Sequence, residues 1–215
     1  MNNVKGKHFI GKAQVLDNAQ ICDDAYAKNQ AIVSGSAQVR GRSKVFGDAQ
    51  VTDQAIVEDT AMVEGSSVVS ENARISGNGY VTGNASVKGH AHVWGNAHVY
   101  GNAQVGGQAE ISGNARVYSS AQVSGTAQIS GYSYVYGDAV VTGTANICGG
   151  KDSNTYILGG YWDGSEGAIP EGCWSAPGVV EPWGGSYETV GDLAKELGEM
   201  SKEAKALSAP VMGKS

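Results

Sequence analysis

The chain is short of the residues that ordinary globular proteins use to fill a core. Among 215 residues there are two phenylalanines, four methionines and three cysteines, and aromatics make up 7% of the whole. Three cysteines cannot all pair, which excludes a disulfide scaffold and fits a reducing compartment. Charged residues are few, at 17%, and the balance is a net −6 with the lysines and arginines scattered. No basic stripe exists to read phosphates, so a nucleic-acid partner is not expected. No apolar run is long enough to span a bilayer, and Met1–Lys7 has no apolar core of signal-peptide length, so the expectation is a soluble product made in the cytoplasm without a membrane partner. What is plentiful is glycine, 32 residues or about twice the usual share. It is periodic, which ties it to turns and not to disorder.

The period is six. From Phe9 to Ile147 an aliphatic or similar residue recurs every sixth position, as at Val87, Val93, Val99, Val105 and Ile111, which makes (147−9)/6+1 = 24 hexads without insertion or deletion. Two residues before each of these from Val15 on, that is from Ala13 to Ala145, stands alanine, replaced only by small residues at Ser43, Ser67, Gly79 and Ser133. Alternation within the hexad predicts a short strand with these two positions on one face and the residue between them on the other. Two residues after each aliphatic comes a corner position, 17 times glycine, otherwise Asp17, Asp23, Asn29, Asp53, Asp59, Glu71 and Ser119. Gly, Asn and Asp accept positive φ at least cost, so a left-handed corner is expected every six residues. A strand that short, cornered always the same way, must coil.

Repeats of this period point to a β-helix. Alanine and valine cannot fill a wide lumen, which favours a triangle of three hexads per turn, eight coils in all and roughly 38 Å tall at a strand spacing of ~4.8 Å. The phrase resembles the hexapeptide-repeat family over about two thirds of the chain. That resemblance implies a left-handed parallel β-helix, a hand opposite to the usual right-handed crossover. It also implies a homotrimer. With eight coils, Cys22 and Cys148 lie on one outward column seven coils apart and cannot bridge within a chain.

The segments outside the repeat differ in kind. Residues 1–8 are expected to cover the first coil, whose open edge would otherwise invite stacking. Residues 150–188 carry Trp162, Trp174 and Trp183 among prolines and paired glycines without strand or helix period, which reads as an aromatic-rich cap on the last coil, with a sugar-stacking surface as the alternative use of its rings. Residues 189–208 open on Thr189 with Asp192 three positions on, run through Leu193, Leu197, Met200 and Leu207 at heptad spacing, and precede Pro210. This is expected to be one α-helix, packed on its own column or paired with other subunits, followed by a tail at 209–215. The tryptophans and this apolar stripe form a candidate C-terminal interaction region.

Many hexapeptide-repeat proteins are acyltransferases, and in them a histidine near an extruded loop serves the site between subunits. No hexad here is out of step, so no such loop is expected. His92 and His98 are outward strand positions on adjacent faces and His90 is a turn residue; their close neighbours Trp94, Asn96 and Tyr100 include no carboxylate to orient a base, although Glu110 lies one coil beyond His92. They are weak catalytic candidates. The γ-type carbonic anhydrases of the same family bind zinc through three histidines, a spacing this chain does not match, so no metal is expected. The threonines are too scattered for an ice-binding ladder.

Residues 18 apart should stack, so each outward face can be read separately. Two faces carry mainly Gln, Ser and Thr. The third carries Tyr26, Phe46, Tyr80, Tyr100, Tyr118, Tyr134 and Tyr136 with His98 and Arg116. Cross-strand stacking alone could explain such a stripe, yet it would serve equally on all faces. A one-sided aromatic stripe marks a contact surface, here expected to face another chain at the trimer axis. The Ala-rich Gly-Asn-Ala phrase is similar to hexapeptide-repeat proteins of phages and prophages. The expectation is therefore a non-enzymatic virion component, a tail, fibre or decoration protein with other phage structural proteins as partners and no cofactor. The alternatives are an acyltransferase using acetyl-CoA and a soluble inhibitor or sequestering protein.

Overall fold

The computed structural model describes residues 9–151, 154–165 and 172–174. Within them 27 strands, most only two residues long, form three parallel sheets of 10, 9 and 8 strands. Each strand pairs with the one a full turn away, so Val63 lies opposite Val81, Val69 opposite Val87, and Ile75 opposite Val93. A constant offset of 18 over three sheets means three hexads per coil. The molecule is a triangular parallel β-solenoid of about eight coils, and no hexad between residues 11 and 149 is looped out.

The lumen is built from the two small positions of the hexad. Ala91, Val93, Ala97, Val99, Ala103 and Val105 are all 0% exposed, because period two turns them inward together. At the open first coil Ala13 and Val15 are only partly buried. Three serines take alanine's place inside, and each finds an acceptor across the preceding corner. Ser43 donates to Arg40 O at 2.8 Å, Ser67 to Glu64 O at 2.7 Å and Ser133 to Ser130 O at 2.6 Å. A buried hydroxyl thus avoids the cost of an unmade hydrogen bond.

The corners follow the expected conformation. All seven non-glycine corner residues have φ between 58° and 63°, including Glu71 and Ser119, whose side chains gain least from it. The aspartates do more than tolerate the geometry. Asp17, Asp23, Asp53 and Asp59 each accept the backbone N–H of the corner one coil on, at Gly35, Gly41, Glu71 and Gly77, over 2.9–3.0 Å. Beside the corners, Asn78, Asn96 and Asn114 link amide to amide up the column at 2.9 and 3.2 Å. Side chains therefore tie successive coils together on the outside as the aliphatics do inside.

The segment read as a loop-rich cap begins with further strands of the column. Thr155–Leu158 pairs with Ser133–Tyr136, Tyr161–Trp162 with Val140–Val141, and Gly172–Trp174 with Thr155–Ile157. Ile157 is fully buried above Val135. The offsets are now 22, 21 and 17 instead of 18, so the six-residue phrase is lost although the ladder continues. Residues 1–8, the expected helix at 189–208 and the tail at 209–215 lie outside the described residues.

Candidate functional site: a tyrosine-faced sheet

The ten-stranded sheet carries the aromatic stripe. Its outward positions form two adjacent columns, because residues i and i+2 of each strand region share a face. In one column Tyr100, Tyr118 and Tyr136 stack with centroids 4.8 and 5.1 Å apart and planes 0° and 3° from parallel. In the other Tyr80 meets His98 edge-on at 5.4 Å, the Arg116 guanidinium lies 5.6 Å from the Tyr134 ring, and Tyr134 stacks on Tyr156 at 4.9 Å. Coil spacing and ring spacing coincide, so the stack follows directly from the register.

These rings are half-buried by one another and half-exposed to solvent. Burial pushes the Tyr118 phenol up to about 12, with Tyr100, Tyr134 and Tyr156 adding to the effect and Arg116 opposing it. Tyr100 is raised for the same first reason. The surface at neutral pH is a row of uncharged, hydroxyl-tipped rings. Lower on the same face Tyr26 is flanked by the Lys28 and Lys44 ammonium groups, 4.5 and 5.8 Å from its ring centre, and Phe46 is half-buried. Of the residues expected on this face, the structure brings Tyr80, His98, Tyr100, Arg116, Tyr118, Tyr134 and Tyr136 into one continuous patch, with Tyr26 and Phe46 below it.

Tyr156 completes the patch and was hidden from the sequence by the offset of 22. A strand alternation in Thr155–Leu158 was the available signal. Trp162 lies on another sheet, where its indole N–H donates to Gly159 O at 2.9 Å and its ring packs against the core. Trp174 closes the strand at Gly172–Trp174. Trp183, Leu193, Leu197, Met200 and Leu207 lie outside the described residues.

The weak catalytic candidates sit in ordinary surroundings. His92 Nε2 is 2.8 Å from Ser76 Oγ, with Trp94 stacked beside it. A Ser–His contact suggests a nucleophile and its base, but Ser76 is only 8% exposed. The N–H groups that could receive an oxyanion are already used, Ser76 N by Val93 O and Gly77 N by Asp59. Below lies a feature that the sequence reading missed. Glu58, 7% exposed, is clamped between Arg40, at 2.6 Å, and Arg74. Its partners are 18 and 16 residues away, in two different columns. Among the described residues no set of three His, Cys, Asp or Glu side chains converges to hold a metal.

His92 is held below its ordinary pKa first by burial and then by Arg74, with Glu110 and Glu58 opposing; His98 is lowered by burial and then Arg116. A histidine harder to protonate in the folded state favours unfolding as the unfolded chain takes up its proton. Stability should therefore fall as pH drops below about 6.5 and level off once the folded-state values are passed. Urea melts of the protein and of a His92→Gln, His98→Gln double variant across that window test this. Equal pH slopes in the two would refute it.

A family model described as a YdcK beta solenoid repeat matches residues 109–125. These residues run from the strand of Glu110 and Ile111 to the corner at Gly125, so the match falls wholly within the column. The chain therefore carries a β-solenoid repeat. Comparison with curated proteins finds no match.

Proposed function

We propose that this chain is a non-enzymatic structural and interaction protein, a rigid column that presents its tyrosine-faced sheet to other chains within a phage particle. The observation that carries this reading is the one-sided stack of Tyr100, Tyr118 and Tyr136 beside Arg116 and Tyr134. Tyrosine and arginine are the residue types that dominate binding energy at protein contacts. The uninterrupted column supports the same reading, since among the described residues no hexad from 11 to 149 is looped out to wall a site where a general base could meet a substrate. The phage setting is supported by the resemblance of the Gly-Asn-Ala phrase.

Two measurements test the proposal. Mass spectrometry of purified particles should find the protein as a stoichiometric component, and a Tyr100→Glu, Tyr118→Glu variant should be depleted from them. Calorimetry with acetyl-CoA should give no saturable heat. Saturable binding together with acyl transfer lost in His92→Ala or His98→Ala would replace the reading with an acyltransferase.

A further inference from the structure

The tyrosine-faced sheet is unevenly charged along its length. Its lower half carries Lys28, Lys44 and Glu64, and its upper half carries the tyrosine stack and Arg116. Among the described residues no carboxylate lies within ion-pair distance of Arg116, and its side chain is exposed. Glu64, half-buried on the same face, has Thr82 Oγ1 at 3.2 Å and, among the described residues, no cation within ion-pair distance. One arrangement satisfies both.

We infer that the partner of this face is a second copy of the chain, packed face to face and antiparallel about a twofold axis between the levels of Tyr80 and His98. This rests on the reading of the face as a docking surface. A twofold that reverses the column keeps each outward column opposite itself and exchanges its levels. Tyr80 then faces the partner's His98, and Lys44 faces the outer, hydroxyl-bearing edge of the partner's Tyr134, whose ring faces are already covered by Arg116 and Tyr156. Phe46 faces the partner's Tyr136. Arg116 comes to the level of the partner's Met62 and Glu64, and the same pair forms again on the other side of the axis. Glu64 faces the partner's Tyr118, so the two unpaired charges come to one level in adjacent columns.

Arrangements that keep columns parallel do worse on the same residues. Any axis along the column, twofold or threefold, brings equal levels of this face together. Glu64 would then face Met62, and Arg116 would face Tyr118 with a second guanidinium nearby. Like charges at one level are penalised, and such penalties are how interfaces reject wrong geometries.

The area is sufficient. From Tyr26 to Tyr156 the face spans eight levels, roughly 35 Å at ~4.8 Å per level, and a side of six residues is roughly 18 Å wide. Two copies would bury on the order of 1,300 Å² in all, within the range of specific interfaces.

Sedimentation equilibrium of the full chain tests the inference. The protein should be a dimer. Arg116→Glu alone and Glu64→Arg alone should each weaken it at least tenfold, and the double swap should restore most of the loss. Trp94→Ser, on another face, should leave the dimer intact. A monomer at every concentration, a trimer, or a double variant no tighter than the singles would overturn it. Failure here is separable from failure of the docking reading. A monomer that still enters particles through Tyr100 and Tyr118 sinks only the second copy, whereas a Tyr100→Glu, Tyr118→Glu variant that enters particles normally sinks the docking surface itself.

Discussion

Val93→Asp is expected to leave the chain unfolded, with the strand signal lost from circular dichroism at every urea concentration. Val93 is 0% exposed and lies in the lumen between Ile75 one coil below and Ile111 one coil above. A carboxylate there leaves water for a tube of alanine and valine methyl groups. The backbone around it has nothing to give, since the N–H of His92 is bonded to Ala109 O and that of Trp94 to Ile111 O. Burying an unpaired charge costs several kcal/mol even after relaxation, against a total stability of about 5 to 15 kcal/mol for a domain. Two features of a solenoid enlarge the effect. The lumen is too narrow for the side chain to reach solvent, and a middle coil supports a neighbour on each side, so a defect there costs two interfaces. The control is Gln104→Asp, an outward and exposed position, which should shift stability by less than about 0.5 kcal/mol. Equal behaviour of the two variants would refute the inward and outward assignment.

How far such placements could be read beforehand depends on what repeats. The lumen was legible because period two within period six fixes which way every side chain points, and nothing between residues 11 and 149 disturbs it. The stack of Tyr100, Tyr118 and Tyr136 was legible for the same reason, since 18 residues make one coil. Tyr156 was not. It reaches the patch after an offset of 22, and a search by period loses a strand when the corner before it lengthens, although the ladder of hydrogen bonds does not care how long the corner is. The clamp on Glu58 was also missed, because one of its partners is 16 residues away in the neighbouring column, and a reading by single columns does not cross between them. The corner aspartates were understood by half. Tolerance of positive φ explains why Asp17 and Asp53 are permitted there, but the carboxylate bond to the next corner's N–H, which the sequence cannot show, explains what they add. For the candidate site, the composition of the face and its stack of Tyr100, Tyr118 and Tyr136 were readable, and its continuation from Tyr134 to Tyr156 was not.

Gly131→Ala is expected to destabilise the protein by about 2 to 5 kcal/mol, the sum of a left-handed conformation forced on alanine and overpacking at a fixed backbone. Gly131 has φ of 65° and ends the strand Gln128–Gly131, directly below Gly149. An added methyl group would run into the Gly149 carbonyl oxygen. That oxygen cannot retreat without loss, because it accepts the N–H of Tyr132 at 2.9 Å. The reciprocal change is Ser119→Gly. Ser119 holds φ of 62° with a side chain that gains nothing from it, so relief of the strain should outweigh the extra freedom of glycine in the unfolded chain and stabilise by about 0.5 kcal/mol. Urea midpoints of both variants measure the pair, and a Gly131→Ala protein as stable as the parent would show that these corners are not set by backbone sterics. The corner at Gly131 also leads into Ser133–Tyr136, the strand that carries Tyr134 and Tyr136. A shift of that strand would open the ring contacts of Tyr136 with Tyr118 and of Tyr134 with Tyr156, so Gly131→Ala should lower the Tyr118 phenol from about 12 towards its ordinary value while Ser119→Gly leaves it in place. Alkaline titration of tyrosine absorbance reads this directly, and it connects a backbone corner on one edge of the triangle to the surface that the protein presents.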